Sequence, residues 1–324
     1  MAAPMTPPAA APAFLGSAGW GGATISPLAG DASFRRYFRV TDGARVAVLM
    51  DAPPPHEDPR PFLNIARHLT AIGLAPPAIL ATDLDRGLVL LEDFGDARMR
   101  ETVDADPAAE HPIYERAVDL LLDLHRHPPA DGLRAYDMAE YQREAGLFTE
   151  WYAPALDLAV DGEGYRAAWT EALAPLAGTP VVTTLRDYHA ENIMLPADGR
   201  LGLLDFQDAL AGHPAYDLVS LLQDARRDVP AGIEVAMLAH YRATHALDDA
   251  AYALLGAQRN AKILGIFVRL WKRDGKPGYR RFQPRVWRYL ERDLAHPALA
   301  AIASWFDRNI PATARAAAWE DFTA

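Results

Sequence analysis

Val181-Val182-Thr183-Thr184-Leu185-Arg186-Asp187-Tyr188-His189-Ala190-Glu191-Asn192, followed by Leu203-Leu204-Asp205-Phe206-Gln207-Asp208, decides how this chain is read. The first four residues are all β-branched and have the composition of a strand. Leu201, Leu203 and Leu204 make a second short apolar strand, and Ala197-Asp198-Gly199 between the two runs is a turn. The expectation is a hairpin of these two strands, each delivering polar residues at a loop end, where a rigid scaffold can hold a site.

The polar residues suit phosphoryl transfer. A carboxylate must orient the attacking hydroxyl and take its proton, and oxygen ligands must hold Mg²⁺ on the phosphates. Asp187 is the candidate base. Asn192, five residues on, and Asp205, thirteen further, are the candidate metal ligands. The pattern D-x-x-x-x-N followed by D-F resembles the catalytic loop and metal aspartate of protein-kinase-like folds. Only eight residues separate Asp205 from Pro214, where a buried helix begins, which leaves no room for a peptide-docking loop. The acceptor is therefore expected to be a small molecule. Asp217, early in that helix, is expected to brace the catalytic loop by accepting backbone hydrogen bonds.

Outward toward the N-terminus, residues 1–13 are Ala/Pro-rich and uncharged and read as a disordered tail. Residues 25–40 read as strand, small-residue turn, strand. Gly30 and Ala32 allow close backbone approach to a ligand, and Ser33 offers a donor to a phosphate. The second strand puts Phe34, Arg36, Phe38 and Val40 on one face, and an arginine in such company calls for an anion. Residues 45–50 are a third strand. It lacks the lysine that kinase-like folds place there: Val46-Ala47-Val48-Leu49 runs into Met50-Asp51. Either Arg35 or Arg36 supplies that charge, or Mg²⁺ and backbone amides suffice. A helix over 60–72, capped by Gly73, and strands at 79–81 and 88–91 complete a small lobe. Leu91-Glu92-Asp93-Phe94-Gly95-Asp96 ends it as a hinge, with Glu92, Asp93 and Phe94 as candidate nucleotide contacts. The domains expected are a tail (1–13), an N-lobe (14–95) and a C-lobe (96–324).

The remainder reads as helical. The helix at 114–125 ends in a histidine expected to face the helix dipole. A helix over 141–152 mixes carboxylates with aromatics, and its Glu150 is a candidate substrate contact, as are His189 and Asp208. Arg269, Lys272, Arg273, Lys276, Arg280 and Arg281 form a basic cluster in an acidic chain. It reads either as a solvated face or as an anion-recognition surface, with Arg273 the candidate contact.

Composition narrows the classes. The 324 residues carry 32 basic and 43 acidic side chains, a net charge of −11, which argues against a nucleic-acid surface. There is no cysteine, so disulfides and thiolate chemistry are excluded. No apolar run of membrane-spanning length appears. A cytoplasmic monomer is expected.

Taken together, the chain after the tail resembles the aminoglycoside-phosphotransferase-like kinases. Among them it is most similar to the branch acting on the cell-wall amino sugars N-acetylmuramate and N-acetylglucosamine. The resemblance rests on Gly30-Asp31-Ala32-Ser33-Phe34-Arg35-Arg36-Tyr37, Met50-Asp51-Ala52-Pro53-Pro54, the hinge, 185–192, 203–217, Gln258-Arg259-Asn260 and Arg273-Asp274-Gly275-Lys276. It implies an α+β, bilobal protein-kinase-like fold, with a β-rich N-lobe and a helical C-lobe carrying a catalytic hairpin. It also implies ATP and Mg²⁺, with Asp187 as base and Asn192 and Asp205 as metal ligands. The implied product is the sugar α-1-phosphate, made in peptidoglycan recycling. Leu185 replaces the histidine usual two positions before the base. N-acetylmuramate bears a carboxylate, so its pocket should hold an arginine or lysine, which the cluster after Phe267 can supply. Two other classes stay open. An aminoglycoside or choline kinase would want converging carboxylates or an aromatic cage, for which Trp151, Tyr152, Trp169 and Trp271 stand available. A nucleotide-binding pseudokinase would need no base.

Overall fold

The computed structural model describes residues 5–28, 34–179 and 181–315. Two compact units emerge: Met1–Pro107 with Glu191–Asp208, and Ala108–Ala190 with Ala209–Ala324. The first unit thus runs past residue 95 and takes back an excursion that sequence reading put in the C-lobe.

The first unit is built on a five-stranded antiparallel sheet, order β1-β2-β3-β5-β4. Its strands are β1 (Thr24–Pro27), β2 (Arg36–Asp42), β3 (Arg45–Asp51), β4 (Ile79–Asp83) and β5 (Leu88–Glu92). Alternation sends Phe38, Val40, Ala47, Leu49, Leu88 and Leu90 into one cluster with Ala11, Phe14, Leu15 and Trp20. Those last residues belong to or follow helix α1 (Ala11–Ser17), and Met5 and Ala10 pack on the same cluster. Residues 5–13 are therefore not a loose tail. Pro12 sits in the first helical turn, where its missing N–H costs nothing, and Phe14 and Leu15 give the segment an apolar face to bury.

Phe34 does not join β2. It is 68% exposed and stacks on His56 at 5.4 Å. Helix α2 (Arg60–Ala71) buries Phe62, Leu63, Ile65, Ala66 and Leu69, and Gly73 follows at φ +85°. Helix α3 (Met99–Ala105) closes the first stretch.

The excursion Glu191–Asp208 folds back here. Ile193–Met194 pairs with Gly202–Leu203, Leu203 N–H donates to Ala75 O (2.9 Å), and Phe206 stacks on Phe62 at 4.8 Å. The expected hairpin is thus corrected. The run before Asp205 pairs with Ile193–Met194, which begins as soon as the 3₁₀ turn Ala190–Asn192 has reversed the chain.

The second unit is helical: α4 (Glu110–His125), α5 (Met138–Ala145), α6 (Ala153–Ala155), α7 (Gly162–Leu173), α8 (Ala215–Leu222), α9 (Ala231–Arg242), α10 (Asp249–Lys272), α11 (Gln283–Leu294) and α12 (Ala300–Asn309). Among its described residues, one two-stranded ladder pairs Val182–Thr184 with Leu210–Gly212. The helix expected over 141–152 ends at Ala145, and Phe148–Tyr152 forms a widened π turn, with Ala153 N–H bonded to Phe148 O. Phe148, Tyr152, Tyr165, Trp287 and Phe306 stack into an aromatic core behind it. His125 is buried and bonded through Nδ1 to Tyr241 Oη (2.9 Å). Burial pushes its pKa down to about 3, so it carries no charge toward the helix dipole.

Candidate active site

In the second unit, Asp187 is set by a strained turn. Arg186 has φ +72°, and Asp187 N–H donates to Leu185 O at 2.9 Å, closing a γ-turn. A left-handed non-glycine residue persists only where its surroundings over-determine it. Here they do. Asp217 Oδ2 accepts Leu185 N–H (2.6 Å) and Oδ1 accepts Arg186 N–H (2.8 Å). Ser220 Oγ donates to Arg186 O (3.2 Å) and itself accepts from Arg259 (2.8 Å). Burial pushes the Asp217 carboxyl up to about 7 against those two N–H donors. Downstream, Tyr188 Oη donates to Ala117 O (2.8 Å), and His189 is 3% exposed with Nε2 3.0 Å from Arg226.

The Arg186 side chain enters a cluster that sequence reading missed. Glu144 of α5 is fully buried and takes Arg186 and Tyr136 Oη as hydrogen-bond donors. Lys262 of α10 lies 2.8 Å from the same carboxylate and 3.3 Å from Tyr216 Oη. Burial alone would raise the Glu144 pKa, but Lys262 and Arg186 hold it down at about 2. Arg186 and Lys262, with Arg143 further off at 3.6 Å, share one carboxylate beside the loop that carries Asp187. The sequence signal was a charge in apolar company: Glu144 beside Ala145, and Lys262 between Ala261 and Ile263.

In the first unit, Asn192 Nδ2 lies 3.4 Å from Asp205 Oδ2, and Gln207 Nε2 donates to Asp205 Oδ1 at 2.8 Å. Asp205 has φ +59° between the short strand and buried Phe206, and Asn192 O accepts Leu204 N–H (2.9 Å). So the backbone fixes both candidate ligands. Among the described residues no group of three or more His, Asp or Glu converges on a metal position. One carboxylate and one amide suit a hard cation that draws its other ligands from a bound substrate and water. Asp208 follows, with one oxygen 3.5 Å from Gln207 Nε2.

The two arginine candidates for phosphate binding are engaged within their own unit. Arg36 lies across from Asp51, which is 2% exposed, and bonds it through Nε at 2.8 Å. The anion its surroundings called for is therefore internal. Arg35 reaches Glu57 at 3.6 Å. Ser33 lies outside the described residues. Met50 is fully buried on β3, and α2 contains no acidic residue. The strand position where kinase-like folds carry a lysine is thus an apolar core position here. At the hinge, Glu92 accepts Arg200 (2.6 Å) and Ala78 N–H (3.1 Å), and Asp93 accepts Arg39 (2.6 Å) and Gly95 N–H (2.7 Å). Phe94 packs against Gly202, where a Cβ would overlap its ring. These side chains shape the hinge.

Glu150 is exposed on the π turn. Arg273 is mostly exposed and bonds Asp274 at 2.7 and 3.0 Å. Lys272 and Arg280 lie over the Trp271 ring at 3.9 and 4.5 Å, while Tyr152 and Trp169 are fully buried. None of these three rings is open to a quaternary ammonium.

The fold and the two residue groups define a protein-kinase-like phosphotransferase. Residues 24–255 match the family described as "Phosphotransferase enzyme family", and the chain belongs to it. Similar curated relatives are the N-acetylmuramate/N-acetylglucosamine kinase of Caulobacter vibrioides, 38% identical over 95% of this chain and 98% of the relative, and that of Pseudomonas aeruginosa, 40% identical over 88% and 89%. A solved streptomycin–ATP ternary complex of the aminoglycoside phosphotransferase APH(2")-IIa shares the fold. It has a TM-score of 0.60 and 15% identity, over 91% of this chain and 98% of that one. No helix among the described residues is long and apolar enough to cross a membrane.

Proposed function

We propose that this protein is an ATP- and Mg²⁺-dependent kinase. It phosphorylates the anomeric hydroxyl of N-acetylmuramate and N-acetylglucosamine to the α-1-phosphate, as a cytoplasmic monomer in peptidoglycan recycling. What carries the reading is 38–40% identity, across nearly the whole of one relative, to kinases named for these two sugars. Tyr152 and Trp169 are fully buried and so are not available to a choline cage, and the ATP bound in a fold neighbour supports ATP as donor.

In this reading Asp187 accepts the proton of the attacking hydroxyl. The hydroxyl oxygen bonds to the γ-phosphorus as the bond to the β,γ-bridging oxygen breaks, and ADP leaves. The γ-turn aims Asp187, while Asp217, Ser220 and Glu144 hold that turn. Asn192 and Asp205 are the residues that would hold Mg²⁺, which when bound neutralises phosphate charge. The test is ADP release from ATP and Mg²⁺ with N-acetylmuramate, N-acetylglucosamine, choline and kanamycin in turn. Release with the two amino sugars is expected. Release with choline or kanamycin alone overturns the substrate.

A further inference from the structure

Arg269 of α10 stands apart from the other partly buried arginines. Among the described residues its guanidinium makes no hydrogen bond or ion pair, and its Nε is buried without a partner. Its carboxylate neighbours do not quench it. Asp274 is bonded to Arg273, and Glu150 and Asp274 act on Arg269 only through their fields, opposed by Arg273 and Arg143. Burial and those like charges lower its pKa, so the chain leaves a guanidinium with Nε shut away from water and no carboxylate bonded to it.

Its place is informative. Lys262 and Arg269 are seven residues apart, two turns along one face of α10, roughly 10 Å. Lys262 sits on Glu144 and feels the charge of Asp187. So Arg269 lies along the helix from the catalytic loop, within the same unit. One turn before it, Gly265 presses on the Leu147 backbone so closely that a Cβ would overlap it. This seats the π turn Phe148–Tyr152 directly on α10, and such turns recur at functional sites. That turn carries a second buried donor without a partner, Trp151 Nε1. The terminal nitrogens of Arg269, which are not closed off, are the donors that a ligand with acceptor oxygens would complete.

We propose that Arg269 is the residue that recognises the carboxylate of N-acetylmuramate, through the two-point pair that a guanidinium makes with a carboxylate. This rests on the amino-sugar reading above. N-acetylglucosamine is the same sugar without the lactyl ether, so it serves as the internal control. The more exposed Arg273, already bonded to Asp274, is not the receptor.

The experiment is steady-state kinetics of wild type, Arg269→Met and Arg269→Lys with each sugar and with ATP. In Arg269→Met, kcat/KM for N-acetylmuramate falls roughly 10- to 100-fold, mostly through KM, the effect of losing one charge-assisted pair. N-acetylglucosamine kinetics and the KM for ATP stay within about threefold. Arg269→Lys falls between. Equal losses on both sugars, no loss on either, or a raised KM for ATP would overturn the proposal while wild type still uses both sugars. A wild type that uses neither sugar removes the amino-sugar reading, and this inference with it.

Discussion

Replacing Glu144 by Gln tests how the catalytic loop is held. The change keeps the shape of the side chain and removes the one negative charge shared by Arg186 and Lys262. Breaking a buried ion pair by removing one partner costs about 3–5 kcal/mol. The ionisation gives an independent figure: a carboxyl held at about 2 rather than its ordinary 4.5 corresponds to roughly 3 kcal/mol. The sign follows from the depressed value. This stability is present above pH 4.5 and is lost as pH falls toward 2. Near neutral pH the variant should melt roughly 6–10 °C below wild type. Tryptophan fluorescence reads this unit well, because Trp169, Trp287 and Trp305 are buried in it. Wild type should lose its advantage on acidification through pH 4. Since Arg186 directly precedes Asp187, kcat should also fall roughly 10- to 100-fold. A melting point within a degree of wild type, with an unchanged acid profile, would refute this role of Glu144.

Three further outcomes are expected. Asp187→Asn should leave nucleotide affinity nearly intact while turnover falls by about 10²–10⁴-fold, and undiminished turnover removes Asp187 as the base. Asp205→Ala should weaken binding of Mg-nucleotide itself, measured by calorimetry, and an unchanged affinity takes it out of the metal site. Asp293, bonded by Gln223 (3.0 Å) and Asn260 (3.2 Å), is pushed up by burial to about 8. Its contribution is therefore greatest below pH 4 and is lost as pH rises to about 8, so wild-type stability relative to Asp293→Asn should decline across that range, and a flat difference would count against it.

The parts of this molecule that were legible in sequence are those written locally. Strands β2 to β5 and helices α10 to α12 follow from periodicity, and the D-x-x-x-x-N…D pattern points at its residues without any fold. What escaped depends on separation along the chain. Glu144, Arg186 and Lys262 meet across 42 and 76 residues, and nothing in a window shows that one carboxylate serves such distant cations. The N-terminal helix was hidden by composition, since Ala and Pro read as tail until Phe14 and Leu15 find a sheet face. Pairing partners were misjudged because ladders of two or three residues carry no distinctive alternation. The role of Arg36 was read from its apolar company, but its anion proved to be Asp51, directly across the sheet.

The central claim is the transfer of phosphate to the anomeric oxygen of an amino sugar. Phosphate-31 NMR of the purified protein with ATP, Mg²⁺ and N-acetylmuramate or N-acetylglucosamine tests it most directly. A growing signal of a sugar 1-phosphate, coupled to the anomeric proton and matched by ADP, is the predicted result. A phosphate on another hydroxyl, or no sugar phosphate from either compound while nucleotide still binds, would contradict it.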